Sequence, residues 1–368
     1  MNRKAPTKSE MMALLRGGKV ELRPLSIHFL EGRSEKKDKG KLDALVEVSW
    51  LGNKARFAVE CRALSTPKAF RDGIGLLKST PLPKGYFPLL FLPFLTDNQL
   101  RELEREGISG LDLCGNSVVV VPGLFAVFRS GGKNLFSSSA PIKNIYRKNS
   151  AMVGRVFFYQ SVFHTVQEIC AAVNRQNPLV ASGRKKPMSL STVSKALKTL
   201  EEDLIISRKG AIRLIQPDKL LEKLAESYGM PAVKERVQLK VPGALETIRA
   251  MLMAHSSRLG LPIVATGTTS VEKYAVMQRG DLFSVYCPDI ESLLAQLPAS
   301  SQTDRFPNLE LIETEDETIC FDARQVEDFL WASPVQVYLE LMAGDKRDRE
   351  TAEQVKSLII SEINSVTA

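Results

Sequence analysis

MSLSTVSKALKTLEEDLII, residues 188–206, holds the pattern on which the reading of this chain turns. Leu190, Val193, Leu197, Leu200 and Leu204 recur at spacings of 3, 4, 3 and 4, which predicts a helix over 190–203 with one apolar face on a helical core. Ser189 stands at the N-cap, where its hydroxyl can accept a free backbone N–H of the first turn. The opposite face gathers Ser191, Thr192, Ser194, Lys195 and Lys198. Any amphipathic helix turns a polar face to water. Small hydroxyls at the electropositive start, followed by two lysines, also suit a phosphate-bearing partner.

Working outward, Ser150 and Thr165 are placed to cap short helices over 151–160 and 166–173. Downstream, IISRKGAIRLIQP (205–217) predicts two short strands around a tight turn with Arg208-Lys209-Gly210 at its tip. Three helices and a basic-tipped hairpin are the layout of a winged helix-turn-helix, whose third helix enters the major groove while the wing reaches the phosphate backbone or minor groove. The string SLSTVSKALKTLEEDLI (189–205) resembles the recognition helix of bacterial winged-helix regulators. It departs from them in two places. Asp203 stands where such regulators often have glycine, and NRQNPLVASGRKKPM (174–188) makes the turn before the helix unusually long. On double-stranded DNA, Ser191, Thr192, Ser194 and Lys195 are the candidates for base edges, with Ser189 at the helix start. Lys198, Arg208, Lys209 and Arg213 are the candidates for phosphates. Arg184-Lys185-Lys186 either adds backbone contacts or forms a solvated loop, and a winged helix used only for packing or dimerisation would share this layout.

The bulk composition fits a soluble, cytoplasmic, multidomain protein. At 368 residues the chain exceeds one ordinary core. Its 44% hydrophobic and 25% charged residues are those of a globular protein. The runs FPLLFLPFL (87–95) and VVVVPGLFAVF (118–128) fall short of the roughly 20 residues of a membrane span, so no membrane partner is expected. MNRKAPTKSEMM lacks the apolar stretch of a signal peptide. Five scattered cysteines without a CxxC pair, and three histidines, predict buried reduced thiols, with no metal site and no cofactor. Charge is unevenly shared: residues 1–150 carry a net +11, residues 151–230 a net +5, and residues 231–368 a net −8. The first two segments therefore favour a polyanion and the last does not.

The fold class expected is mixed α/β in three domains. The first, 1–140, alternates strands and helices, including a hairpin in LDALVEVSWLGNKARFAVECRAL (42–64) with its turn at Gly52-Asn53. SGGKNLFSSSAPIKN (130–144) reads as a linker. Asp43 at one strand start and Glu60-Cys61-Arg62 at the next strand end resemble the PD-(D/E)xK nuclease pattern. That resemblance implies a restriction-endonuclease-like fold in which an Asp and a Glu hold a divalent metal and a following lysine orients water. Here Arg62 takes the lysine place, and a guanidinium cannot serve as a base, so Asp43, Glu60 and Arg62 form an expected inactive site. Asp112 and Asn116, ending a later strand, fit the same fold. The second domain is the winged helix, 149–228.

The third domain, 235–368, again alternates. ATGTTSVEKYA followed by LFSVYCPDI has the outline of a nucleotidyltransferase core, but the strand offers only Asp289 where such enzymes place two aspartates. Thr268 or Thr269 is expected to be a helix cap. The tail WASPVQVYLELMAGDKRDRETAEQVKSLI (331–359) resembles the C-terminal text of AbiEi-type antitoxins, most specifically in ASPVQVYLELM and DRETAEQVKSLI. The resemblance covers the second and third segments, and nuclease-like first segments also occur in such proteins. It implies a transcriptional repressor of its own operon, acting as the antitoxin of a type IV toxin–antitoxin system in phage defence by abortive infection. Its partners would be operator DNA and, directly or indirectly, a nucleotidyltransferase-like toxin. The stripe Val335, Tyr338, Leu339 and Met342 reads as core, and Asp345–Glu350 as a solvated loop.

Overall fold

The computed structural model describes residues 6–20, 22–30, 42–136, 144–277, 282–295 and 306–367. The chain divides into two compact units, Met1–Lys143 and Asn144–Ala368, and both mix helix and sheet. The middle and last segments of the sequence share the second unit.

In the first unit, α1 (Lys8–Arg16) precedes a seven-stranded sheet in sequential order. Its strands are β1 (Ser26–Leu30), β2 (Ala44–Trp50), β3 (Asn53–Cys61), β4 (Tyr86–Leu92), β5 (Ser109–Asp112), β6 (Ser117–Val121) and β7 (Phe125–Arg129). β3, β4 and β5 run parallel, so each connection needs a crossover, and these are α2 (Pro67–Ser79) and α3 (Asp97–Arg105). Alternation along the strands sends side chains to two cores. Val59, Leu89 and Phe91 pack with Met11 and Leu15 of α1, while Leu90 and Leu92 pack with Phe70 and Ile74 of α2 and Leu100 and Leu103 of α3. The hairpin turn lies at Leu51-Gly52, one residue before the predicted place. Both residues have positive φ, 48° and 83°, as a two-residue hairpin turn of this hand demands. The run 117–129 folds back at Pro122–Leu124 as β6 and β7. Residues 137–143 of the predicted linker lie outside the described residues.

The second unit opens with α4 (Ala151–Tyr159), β8 (Val162–Phe163), α5 (Val166–Arg175), a single turn α6 (Pro178–Ala181), α7 (Leu190–Glu202), β9 (Ile206–Ser207), β10 (Ile212–Leu214) and α8 (Pro217–Ser227). The three short strands pair antiparallel in the order β8-β10-β9. A six-stranded mixed sheet follows, ordered β11-β14-β13-β12-β16-β15. These are β11 (Val233–Leu239), β12 (Val264–Ala265), β13 (Phe283–Cys287), β14 (Leu309–Thr314), β15 (Arg324–Val326) and β16 (Phe329–Trp331). α9 (Leu245–Leu259), α10 (Gly267–Ser270), α11 (Ile290–Leu294), α12 (Pro334–Met342) and α13 (Lys346–Thr367) complete it.

Several local expectations change here. Residues Glu317–Cys320 form a 3-10 turn, because Asp316 accepts the Thr318 N–H and hydroxyl at 2.9 and 2.7 Å and closes the backbone. Asp345 and the residues after it are not a loop: Asp345 accepts the Asp348 N–H at 3.0 Å, and α13 begins at Lys346. Val335, Tyr338 and Leu339 are buried, as core residues should be. Ser150 does not cap α4; its hydroxyl donates instead to the Arg147 and Asn144 carbonyls.

Candidate nucleic-acid interface

Val193, Ala196, Leu197 and Leu200 fix the seat of α7, all four fully buried. Ser189 caps the helix, accepting the Thr192 N–H at 3.3 Å, and its hydroxyl lies 3.0 Å from that of Thr192. Leu190 departs from the predicted apolar stripe. It is 46% exposed. Leu204 also leaves the stripe: the helix ends at Glu202, and Leu204 adopts φ 60°, the left-handed conformation that a glycine would favour. Asp203, just before it, is a structural anchor. It accepts the Tyr146 hydroxyl and lies 3.7 Å from the Lys223 ammonium, while its carbonyl accepts Lys219 Nζ at 2.7 Å.

Ser191, Ser194, Lys195 and Lys198 are exposed along one face of α7, with Thr192 half-buried beside them. None of the four exposed side chains has a hydrogen-bond or ion-pair partner among the described residues. The hairpin carries the other cations. Gly210, at φ 82°, makes the turn, and Arg208, Lys209 and Arg213 are all exposed. Arg208 has a loose ion pair with Glu201 at 3.9 Å, which water and salt would weaken. The long connection before α7 is folded, not slack. Asn177 caps α6, and Asn174 clamps Met188 through both its backbone groups, at 2.7 and 3.2 Å.

Sequence reasoning missed Arg155, which ties this region to the six-stranded part of the same unit. Residues Ala151–Phe158 of α4 are all buried, and Arg155 is only 2% exposed. Its guanidinium donates to the Thr318 carbonyl at 2.7 Å, Gln336 Oε1 at 3.1 Å, Ser333 Oγ at 3.2 Å and the Phe321 carbonyl at 3.3 Å. All four acceptors are neutral. Burial therefore pulls its pKa down to about 10. The one signal in the sequence was a lone arginine in an otherwise apolar helix, AMVGRVFFY.

The other predicted residues separate into a cluster and two structural fixtures. Asp43 and Glu60 do come together. Burial first, and then the Asp43 carboxylate, push Glu60 up to about 7. Each carboxylate is already matched to a cation: Lys8 Nζ lies 2.7 Å from Asp43 Oδ1, and Arg62 Nε lies 2.9 Å from Glu60 Oε1. The Cys61 N–H also donates to Asp43 Oδ2 at 2.7 Å. Asp112 is a buried strand-end knot. It accepts the N–H groups of Leu95, Cys114 and Asn116 and the Asn116 side-chain amide, at 2.7–2.9 Å.

Asp289 caps α11, accepting the Ser292 N–H at 3.0 Å and its hydroxyl at 2.6 Å. In the glycine-threonine turn the cap is Thr266, not Thr268 or Thr269: its hydroxyl accepts the Thr269 N–H at 3.1 Å. The space such a turn would offer a phosphate is filled by Glu340, which is 3% exposed. It accepts the Thr268 N–H at 3.3 Å and the Gln336 amide at 3.0 Å. A Cβ on Gly267 would lie 2.6 Å from the Glu340 carboxyl carbon, so any side chain there must displace Glu340. Comparison of the chain with protein-family models, curated proteins and solved structures returned no match.

Proposed function

We propose that the chain is a DNA-binding transcriptional regulator whose second unit carries a winged helix-turn-helix. In this reading α7 enters the major groove of double-stranded DNA and the 208–213 hairpin is the wing on the phosphate backbone. The observation that carries the proposal is the unpartnered hydroxyl-lysine face of α7 next to a hairpin tipped with cations. Phosphate neutralisation by these cations releases counterions and makes binding strongly salt-dependent. Following the AbiEi resemblance, the protein acts in the cytoplasm as an antitoxin that represses its own operon and opposes a nucleotidyltransferase-like toxin. The last part of the chain keeps the outline of a nucleotidyltransferase without its chemistry, since Glu340 fills the glycine turn and Asp289 is a helix cap. Gel-shift titration with DNA from upstream of its own gene, against shuffled competitor at two salt concentrations, tests the regulator. Equal affinity for both DNAs, or none, refutes it. Co-expression with the neighbouring gene tests the antitoxin: growth arrest that this chain does not relieve refutes that part.

A second reading, a metal-dependent nuclease targeted by the winged helix, draws on the meeting of Asp43 and Glu60. It is the weaker one, because Lys8 and Arg62 already neutralise both carboxylates and Arg62 cannot act as a base. Mg²⁺-dependent nicking by the purified protein that vanishes in Glu60→Ala would reverse this ranking.

A further inference from the structure

The second unit contains a cavity of about 510 Å³, within the size range of small-molecule sites. Two stretches of chain build its chemistry. From 146–149 and the connection before α7 come Arg147, Lys148 and Lys185, none of whose side chains has an ion-pair partner among the described residues. Arg155 also lines it, a buried charge whose hydrogen-bond acceptors are all neutral and whose Nε has no partner among the described residues. Buried in low-dielectric surroundings, such a charge acts more strongly than a surface lysine. From 315–317 come Glu315, Asp316 and Glu317. Asp316 is occupied by Thr318, and Glu317 accepts the side-chain amides of Asn149 at 3.1 Å and Asn177 at 2.9 Å. Both bonds from Thr318 use Asp316 Oδ1, so Asp316 Oδ2 and the more exposed Glu315 are left to receive an outside donor.

The backbone is set for this arrangement. Lys148 adopts φ 53°, a left-handed conformation that is strained for lysine. It is held on both sides, by the Ser150 hydroxyl donating to the Arg147 carbonyl at 2.8 Å and by the Asn149–Glu317 hydrogen bond. A single turn stiffened at both ends keeps two cations in the cavity lining.

We propose that this cavity binds a mononucleotide, its phosphate taken by Arg147, Lys148 and Lys185 and a hydroxyl or amino donor of the nucleoside taken by Glu315. A simple anion would leave Glu315 unused, and an uncharged nucleoside would leave the cations unused. The phosphate ester of a donor-rich nucleoside uses both. The site does not depend on the DNA reading, since α7 and the hairpin contribute nothing to its lining.

Calorimetric titration of the full-length protein with AMP, GMP, CMP and UMP tests the proposal, with adenosine and inorganic phosphate as controls. At least one nucleotide should bind, and about tenfold or more tighter than either control. Arg147→Met and Lys185→Met, which keep the aliphatic stems, should each weaken it about tenfold with thermal melting unchanged. Lys195→Ala with Arg208→Ala should leave nucleotide binding intact even where DNA binding is lost, so the two readings fail separately. Absence of binding by all four nucleotides at about 1 mM overturns the proposal, as does binding that ignores both methionine variants.

Discussion

Two helix starts in the second unit begin with the same chemistry and end in opposite conditions. α7 starts at Ser189 and α10 at Thr266, each with a hydroxyl accepting an N–H three residues on. At Ser189 the surrounding face is exposed hydroxyls and lysines. At Thr266 the chain supplies its own carboxyl group, Glu340, from more than seventy residues away. The difference teaches that a cap motif fixes where a helix begins but not whether its positive end is available. That depends on what distant chain is packed over it.

The largest effect should come from removing the seat under the open start. Arg155→Ala strips the donors from two carbonyls and two side chains that stay buried, and should destabilise the second unit by about 3–5 kcal/mol in urea unfolding. A loss below about 1 kcal/mol would mean that α4 is held by apolar packing alone.

Arg155 also marks where the sequence stopped being legible. The caps at Thr165 and Ser189 could be read because they are local, decided within a single turn. The partners of Arg155 lie 163 to 181 residues away, and no periodicity encodes them. The three-residue strands β15 and β16 escaped for a related reason: a run that short carries no alternation to count. At the candidate interface the residue types were legible and their exposure was not, as Leu190 shows.

Next in size is the filled start. Gly267→Ala forces a methyl against the Glu340 carboxyl and should cost about 2 kcal/mol. Glu340→Ala in the same chain should recover part of that loss, since the clash needs both side chains. Ser189→Ala at the open start has no such partner and should cost only about 1 kcal/mol, the ordinary value of a lost cap. Equal and additive effects at both starts would erase the distinction between them.

Function enters with Lys195→Ala combined with Arg208→Ala. Affinity for upstream DNA should fall about tenfold, the slope of log affinity against log salt should drop by about one for the phosphate that Arg208 no longer neutralises, and loss of Lys195 should narrow the preference over shuffled DNA. Stability should change by less than about 0.5 kcal/mol, because both side chains lie on the surface. An unchanged salt slope would mean that this open face is merely solvated, and the contrast with α10 would lose its functional meaning.

The finest test asks how well the internal carboxyl group suits its place. Burial raises the Glu340 pKa, while hydrogen bonds from Gln336 and from the Gly267 and Thr268 backbone work against it. A carboxyl whose folded pKa lies above its unfolded value contributes stability that is complete below the unfolded pKa and is lost as pH rises through the folded one. Glu340→Gln removes this titration and leaves the others in place, among them Asp322, which burial lifts to about 6 with the same sign. The stability of the native chain relative to Glu340→Gln should therefore decline as pH rises from the ordinary carboxylate range, in paired urea titrations at a series of pH values. A difference that grows with pH instead would mean that the backbone N–H groups outweigh burial. The turn would then be a true anion site, satisfied from within, and α7 would differ from it only in having to find its anion outside the chain.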